Sequence, residues 1–180
     1  ELSDKNYPFC SDCATHRSQL LPFGKGLNKT TKAGDLIVAD TMGPVKVASL
    51  GGAKFMSNFI DFHTGFIIVG KPCATKQKAL EFFKIENEKF KNVTGRSFGT
   101  LRTDNGTEYL TNKFKNYLEE NGIERQLTNT YTPQQNATAE KLNHILYEKM
   151  MCLLSDGNLP DYLWGEAYCT AVYLTNITPR

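Results

Sequence analysis

No stretch of this sequence is apolar for long enough to cross a bilayer as a helix, and its first ten residues, ELSDKNYPFC, lack both the basic start and the apolar core of a secretory leader. The chain therefore reads as intracellular with no membrane partner, and the absence of Met at position 1 suggests a fragment. Cysteine is sparse. The five (Cys10, Cys13, Cys73, Cys152 and Cys169) are odd in number and unevenly spaced, which argues against a disulfide framework and for reduced thiols. Only Cys10 and Cys13 stand close enough to share a task. Net charge is small as well, at +2. Residues 1–34 carry five basic and three acidic groups, whereas residues 35–180 carry 16 of each. Any attraction of so balanced a core to nucleic acid has to come from local patches or bound cations. What is present is ordinary for a folded domain: 180 residues, 40% hydrophobic and 22% charged, which allow one sizeable core and exclude disorder of the whole.

Residues 14–34 mix Gly, Pro, Thr and Lys without a sustained period and read as a connector. The core begins after it. DLIVAD is a short continuous apolar run, the pattern of a central strand buried on both faces, ending in Asp40. KFMSNFIDF and FIIVGKP are aromatic and β-branched, and His63-Thr64-Gly65 between them is a hairpin connection, so the first three strands are expected to form an antiparallel meander. From Thr75 the period changes. Ala79, Phe82, Phe83, Phe90 and Val93 recur at helical spacing, with Gly95 as a stop. SFGTLRT is a fourth strand, a short helix closed by Asn121-Gly122 follows, and IERQLT is a fifth strand. Residues 139–154 carry the strongest helical pattern, with Leu142, Ile145, Leu146 and Leu153 on one stripe, and a last helix is expected from about Asp161 to Tyr173. That order predicts an α/β fold: a five-stranded mixed sheet with helices on both faces.

Three acids stand out within this frame. Asp40 ends the first strand, Asp104 ends the fourth, and Glu140 lies on the long helix. At about 100° per residue Glu140 shares its side with Asn136, Asn143, His144 and Tyr147, away from the leucine stripe. If the first and fourth strands are neighbours, their carboxylates meet at one sheet edge and the helix brings Glu140 to the same place. Converging carboxylates repel one another and call for cations. Oxygen ligands suit Mg²⁺ or Mn²⁺, and two such ions clamp a phosphodiester so that water or a 3′-hydroxyl can attack it directly. Asn105-Gly106 turns the chain sharply and leaves Asp104 exposed beyond the sheet. Taken singly, each acid has a plainer reading as a turn former, a strand end or a solvated helix residue; their joint order and topology carry the chemical one.

The segments ADTMGPV, FIDFHTGF, LRTDNGTEY, NGIERQLTNTYTPQQNATAE and LPDYLWGEAYCTAVYLTNITP together resemble the integrase catalytic core of Copia-type retrotransposons, within the retroviral integrase and ribonuclease H-like superfamily. Thirty-five residues separate Asp104 from Glu140, the spacing of that family's Asp-Asp-Glu pattern. The resemblance implies a ribonuclease H-like fold and a metal-dependent enzyme that processes DNA 3′ ends and joins element DNA to target DNA. It makes Asp40, Asp104 and Glu140 the catalytic ligands of two Mg²⁺ or Mn²⁺ ions. It also implies a mobile loop over residues 129–138, in which Tyr131, Gln134, Gln135 and Asn136 are candidate DNA contacts, with Lys141, Asn143 and His144 on the adjoining helix. The expected partners are DNA and further copies of the chain, the latter through the helices that include Trp164, unless Trp164 is an ordinary core residue. The parent would be a Pol polyprotein, active in cytoplasmic virus-like particles and in the nucleus.

The chain also departs from the family pattern. It reads QNATAEKLNH where relatives carry a Gly-Val pair and further basic residues, so the loop is stiffer and the helix face has less grip on phosphate. Upstream, CSDCATHRSQLLPFGKG resembles the tail of the family's zinc module: Cys10 and Cys13 have half-site spacing and His16 is a possible third ligand, so Zn²⁺ is expected only in the intact parent. Residues 1–34 are thus module tail and linker, and residues 35–180 the catalytic core. Two other readings stay open: a nuclease of the same superfamily that uses water alone, and a decayed or domesticated nucleic-acid-binding or dimerisation module.

Overall fold

The computed structural model describes residues 30–128 and 137–178. Five strands form one sheet: β1 (Leu36–Met42), β2 (Met56–Asp61), β3 (Ile67–Val69), β4 (Thr100–Thr103) and β5 (Glu124–Leu127), in the spatial order β3-β2-β1-β4-β5. The first three pair antiparallel, while β4 runs parallel to both β1 and β5. Two of the four helices, α1 (Ala79–Thr94) and α2 (Asn112–Glu120), share a core with one face of the sheet, and α3 (Ala137–Asp156) and α4 (Trp164–Ile177) with the other.

Strand alternation explains the division. On β1, Ile37 and Ala39 point to the α1/α2 side, where they join Phe59, Phe83, Leu101 and Phe114. Leu36 and Val38 point to the other side and meet Ile60 and Ala139. A strand buried on both faces must be apolar throughout, which is why this one reads LIVA without alternation. The first core is aromatic. Phe83 sits at its centre, with the rings of Phe59, Phe98, Phe114 and Tyr117 at centroid distances from 5.4 to 6.2 Å. The buried Asn87 of α1 accepts from Phe98 N (2.9 Å) and donates to Tyr117 Oη (3.0 Å), tying the start of β4 and the side of α2 to one amide.

The β2–β3 hairpin turns at His63-Thr64-Gly65 as the sequence predicts, with Gly65 at φ +70° and the Asp61 carboxylate accepting from Thr64 Oγ1 at 2.6 Å. Gly95, also at positive φ, ends α1. Three expectations shift at their edges. β1 does not end at Asp40 but pairs on through Thr41 and Met42 with Ser57 and Met56. β3 is shorter than FIIVGKP, since Pro72 has no N–H for a ladder and only Phe55 and Cys73 bridge beyond it. The last helix begins as a 3₁₀ turn at Asp161–Leu163 after Pro160 and runs on to Ile177. Among the described residues no helix is long and apolar enough to cross a membrane.

Because Phe83 joins four other rings, Phe83→Ala is expected to cost about 3–5 kcal/mol in urea denaturation. A loss below about 1 kcal/mol would show that the aromatic core does not hold α1 to the sheet.

Candidate active site

The parallel register of β1 and β4 pairs Val38 with Arg102, and continuing it by two residues sets Asp40 level with Asp104. Asp40 lies two residues before the end of β1, and Asp104 directly follows the end of β4. Asp40 has the parity of Leu36 and Val38, so its side chain belongs to the face covered by α3. There Ala139 is fully buried against that pair, with Leu142 partly buried beside it, which seats the first turn of α3 on β1 and puts Glu140 near the strand end. Glu140 itself is exposed.

Asp40 is the half-buried member of the set. Its Oδ1 accepts from Thr41 N (2.8 Å) and its Oδ2 from Nδ2 of Asn143 (2.7 Å). Burial holds its carboxyl above the usual aspartate range, and the charges of Asp104 and Glu140 push the same way, while the two hydrogen bonds oppose them. Asp104 and Glu140 are therefore each within electrostatic reach of Asp40, and none of the groups that shift Asp40 is a cation. Among the described residues, however, no three His, Cys, Asp or Glu side chains are gathered closely enough to hold a metal ion. The acids share a neighbourhood without forming a closed cage. As a donor set they fit a hard divalent cation: all oxygen, mutually repelling, at the mouth of a sheet.

The turn after β4 has its own constraint. Gly106 N donates to Asp104 Oδ1 at 2.9 Å, an Asx turn. A Cβ on Gly106 would lie 2.8 Å from that oxygen and 2.9 Å from Glu108 Oε2, so a larger residue there would push these carboxylate ends aside. Glu108 is buried and pairs with Lys76 at 3.6 Å. Next to it, Tyr109 is buried with its hydroxyl 2.9 Å from Thr41 Oγ1, joining the turn to β1. Burial raises this phenol well above the tyrosine range.

The other sequence-predicted residues divide. Asn143, a candidate DNA contact, donates from Nδ2 to Asp40, and its Oδ1 accepts from Asn58 Nδ2 at 2.5 Å. His144 is exposed, 3.8 Å from Glu148 one turn on, and Lys141 is partly exposed. Trp164 is a core residue, 1% exposed, among Met56, Ile67, Met150 and Tyr168. Tyr131, Gln134, Gln135, Asn136, Cys10, Cys13 and His16 lie outside the described residues. Sequence reasoning missed Asn58 and Tyr168, which join Asn143 (Asn58 Nδ2 to Tyr168 Oη, 2.6 Å). The signal for Asn58 was there: an amide between Met56 and Ile60, on the same buried face of a strand. Tyr168, inside an apolar helix, gave none.

No protein-family model matches the chain. It is 33% identical over 170 residues to the retrovirus-related Pol polyprotein from transposon TNT 1-94 of Nicotiana tabacum, and 28% identical over 170 residues to that from transposon RE2 of Arabidopsis thaliana. In both cases the match covers 94% of this chain but only 13% and 11% of the relative. Its homologues are Copia-type Pol polyproteins. The chain superposes on a chain of a simian T-cell lymphotropic virus intasome in complex with the PP2A regulatory subunit B56 gamma, with a TM-score of 0.66 at 20% identity, covering 94% of this chain and 58% of that one. It also superposes on the HTLV-2 integrase catalytic core domain in complex with magnesium, with a TM-score of 0.59 at 17% identity, covering 81% and 87%. The fold is thus that of retroviral integrase cores, ribonuclease H-like, with the mixed sheet described above.

The raised pKa of Asp40 has a definite sign in stability. The folded chain holds a proton there to higher pH than the unfolded chain does, so this residue's contribution to stability falls as pH rises from the ordinary aspartate value, about 4, to the raised one, and is constant above. In metal-free buffer, Asp104→Asn is expected to lower the Asp40 value, followed by carbon-detected NMR titration, and to flatten that fall. An Asp40 that titrates identically in the variant would show that Asp104 is too distant to share a cation with it.

Proposed function

We propose that this chain is the catalytic core of a retrotransposon integrase, a metal-dependent polynucleotidyl transferase that processes element DNA ends and joins their 3′-hydroxyls to target DNA. The observation that carries the reading is the level placement of Asp40 and Asp104 on parallel neighbours, with Glu140 brought alongside by α3. Relatives supply the context: they are Pol polyproteins of transposons, and one solved neighbour is an integrase core in complex with magnesium. Asp40, Asp104 and Glu140 would hold two Mg²⁺ or Mn²⁺ ions, which when bound activate the attacking oxygen and stabilise the leaving one.

The protein's own side chains do the rest. The Asx turn at Gly106 fixes one Asp104 oxygen and leaves the other for a ligand. Asn143 and the Thr41 amide orient Asp40. Tyr109 ties the Asp104 turn to the strand that carries Asp40, so that the two acids keep their spacing as charge builds up on a substrate. No nucleophilic side chain is needed, because the attacking oxygen belongs to water or DNA. In this reading residues 35–180 are the core and residues 1–34 the end of a preceding module, DNA and further copies of the chain are the partners, and the site is completed on assembly.

A non-catalytic descendant of such an enzyme is favoured by one observation: the acids stand apart rather than caged. One pair of measurements separates the two. With labelled element-end oligonucleotides and Mn²⁺, the parent chain is expected to give joined products, and Asp104→Asn and Glu140→Gln to drop to background with unchanged circular dichroism. Products that are only cleaved would indicate a nuclease that uses water alone. Unaltered joining by Asp104→Asn, or a parent that neither joins nor binds Mn²⁺, would defeat the integrase reading.

A further inference from the structure

Behind Asp40 lies a polar chain that runs through the second core. Asp40 and Asn58 are register partners on β1 and β2. The Asn58 amide nitrogen donates to Asn143 Oδ1 on α3 (2.5 Å) and to Tyr168 Oη on α4 (2.6 Å), and that hydroxyl in turn lies 3.4 Å from Asn143 Oδ1. Asn58 and Tyr168 are both fully buried, among Met56, Leu146, Met150 and Ala171. Such a cluster is costly. Asn58 Oδ1 has no hydrogen-bond partner, and an apolar pair of similar volume would pack this core without that penalty. Stability alone therefore does not account for it. Its arrangement does: with one donor of Asn58 and the hydroxyl of Tyr168 directed at its Oδ1, the Asn143 carboxamide has one orientation, with Oδ1 inward and Nδ2 outward to Asp40 Oδ2.

We propose that Asn58 and Tyr168 are positioning residues that hold the Asn143 amide in register, and through it fix the Asp40 carboxylate for cation binding. Its last step rests on the integrase reading above. Without Asn58 or the Tyr168 hydroxyl, the Asn143 amide can turn over, presenting oxygen to Asp40 and repelling it. Three elements that share no backbone pairing with β4 thereby set the geometry of a site that β4 helps to form.

The test uses the whole chain and two readouts. In Tyr168→Phe and Asn58→Leu, the side-chain amide protons of Asn143 are expected to exchange with solvent about three- to tenfold faster by NMR. Mn²⁺ affinity, measured by electron paramagnetic resonance, is expected to fall about tenfold or more. Met150→Ala, which opens a cavity in the same core, is expected to lower the melting temperature without moving either readout. Parental Asn143 exchange in either folded variant, or equal changes in Met150→Ala, would overturn the proposal. A parent chain that binds no Mn²⁺ while its Asn143 amide responds as described upholds the positioning role and defeats the metal reading, so the two failures are distinct.

Discussion

The parallel hydrogen-bonded register between β1 and β4 sets the distance between two acids that are 64 positions apart in the chain. In a parallel pair the side chains at the same level point to the same face, so the register decides whether Asp40 and Asp104 are neighbours or strangers. A slip of one residue would turn one of them to the opposite face. What prevents the slip is burial on both sides: Ile37 and Leu101 are locked in the aromatic core, Val38 beneath Ala139. The packing of two cores thus fixes the spacing of a polar site that belongs to neither.

The site works against its own charges. Asp40 is pushed toward its neutral form by burial and by two nearby acids, and only hydrogen bonds from Thr41 and Asn143 favour the charged form. That tension explains why the surrounding groups are so heavily tied: Tyr109 to Thr41, Glu108 to Lys76, Gly106 to Asp104. Each contact fixes a backbone segment that electrostatic repulsion would otherwise spread.

Most of the frame was legible in the sequence, because burial writes itself in periodicity. The unbroken run of β1, the 3.6-residue stripe of α1 and the positive-φ glycines after β2 and α1 each have a single physical interpretation, and the strands and helices fall there. The edges were harder: Thr41 and Met42 extend β1 although a carboxylate precedes them, since the ladder to β2 continues whatever side chain it passes. That Asp40 and Asp104 fall level on neighbouring strands was legible from their order and from the turn that follows Asp104. Asn143 was placed on the right side of its helix, but its bond to Asp40 was not foreseen. Helical geometry says which face a residue occupies; it does not say that the strand beneath carries an acceptor. Tyr168 was invisible for a related reason, as an aromatic in an apolar helix looks the same whether or not its hydroxyl is used.

Trp164 is the sole tryptophan, buried in the second core and one helical turn ahead of Tyr168. All indole emission therefore originates from one spot on α4, beside the polar cluster and away from the aromatic core under α1. Indole fluorescence becomes a built-in dye for that half of the molecule: its wavelength follows the wetting of this single helix, with no label and no second indole to subtract.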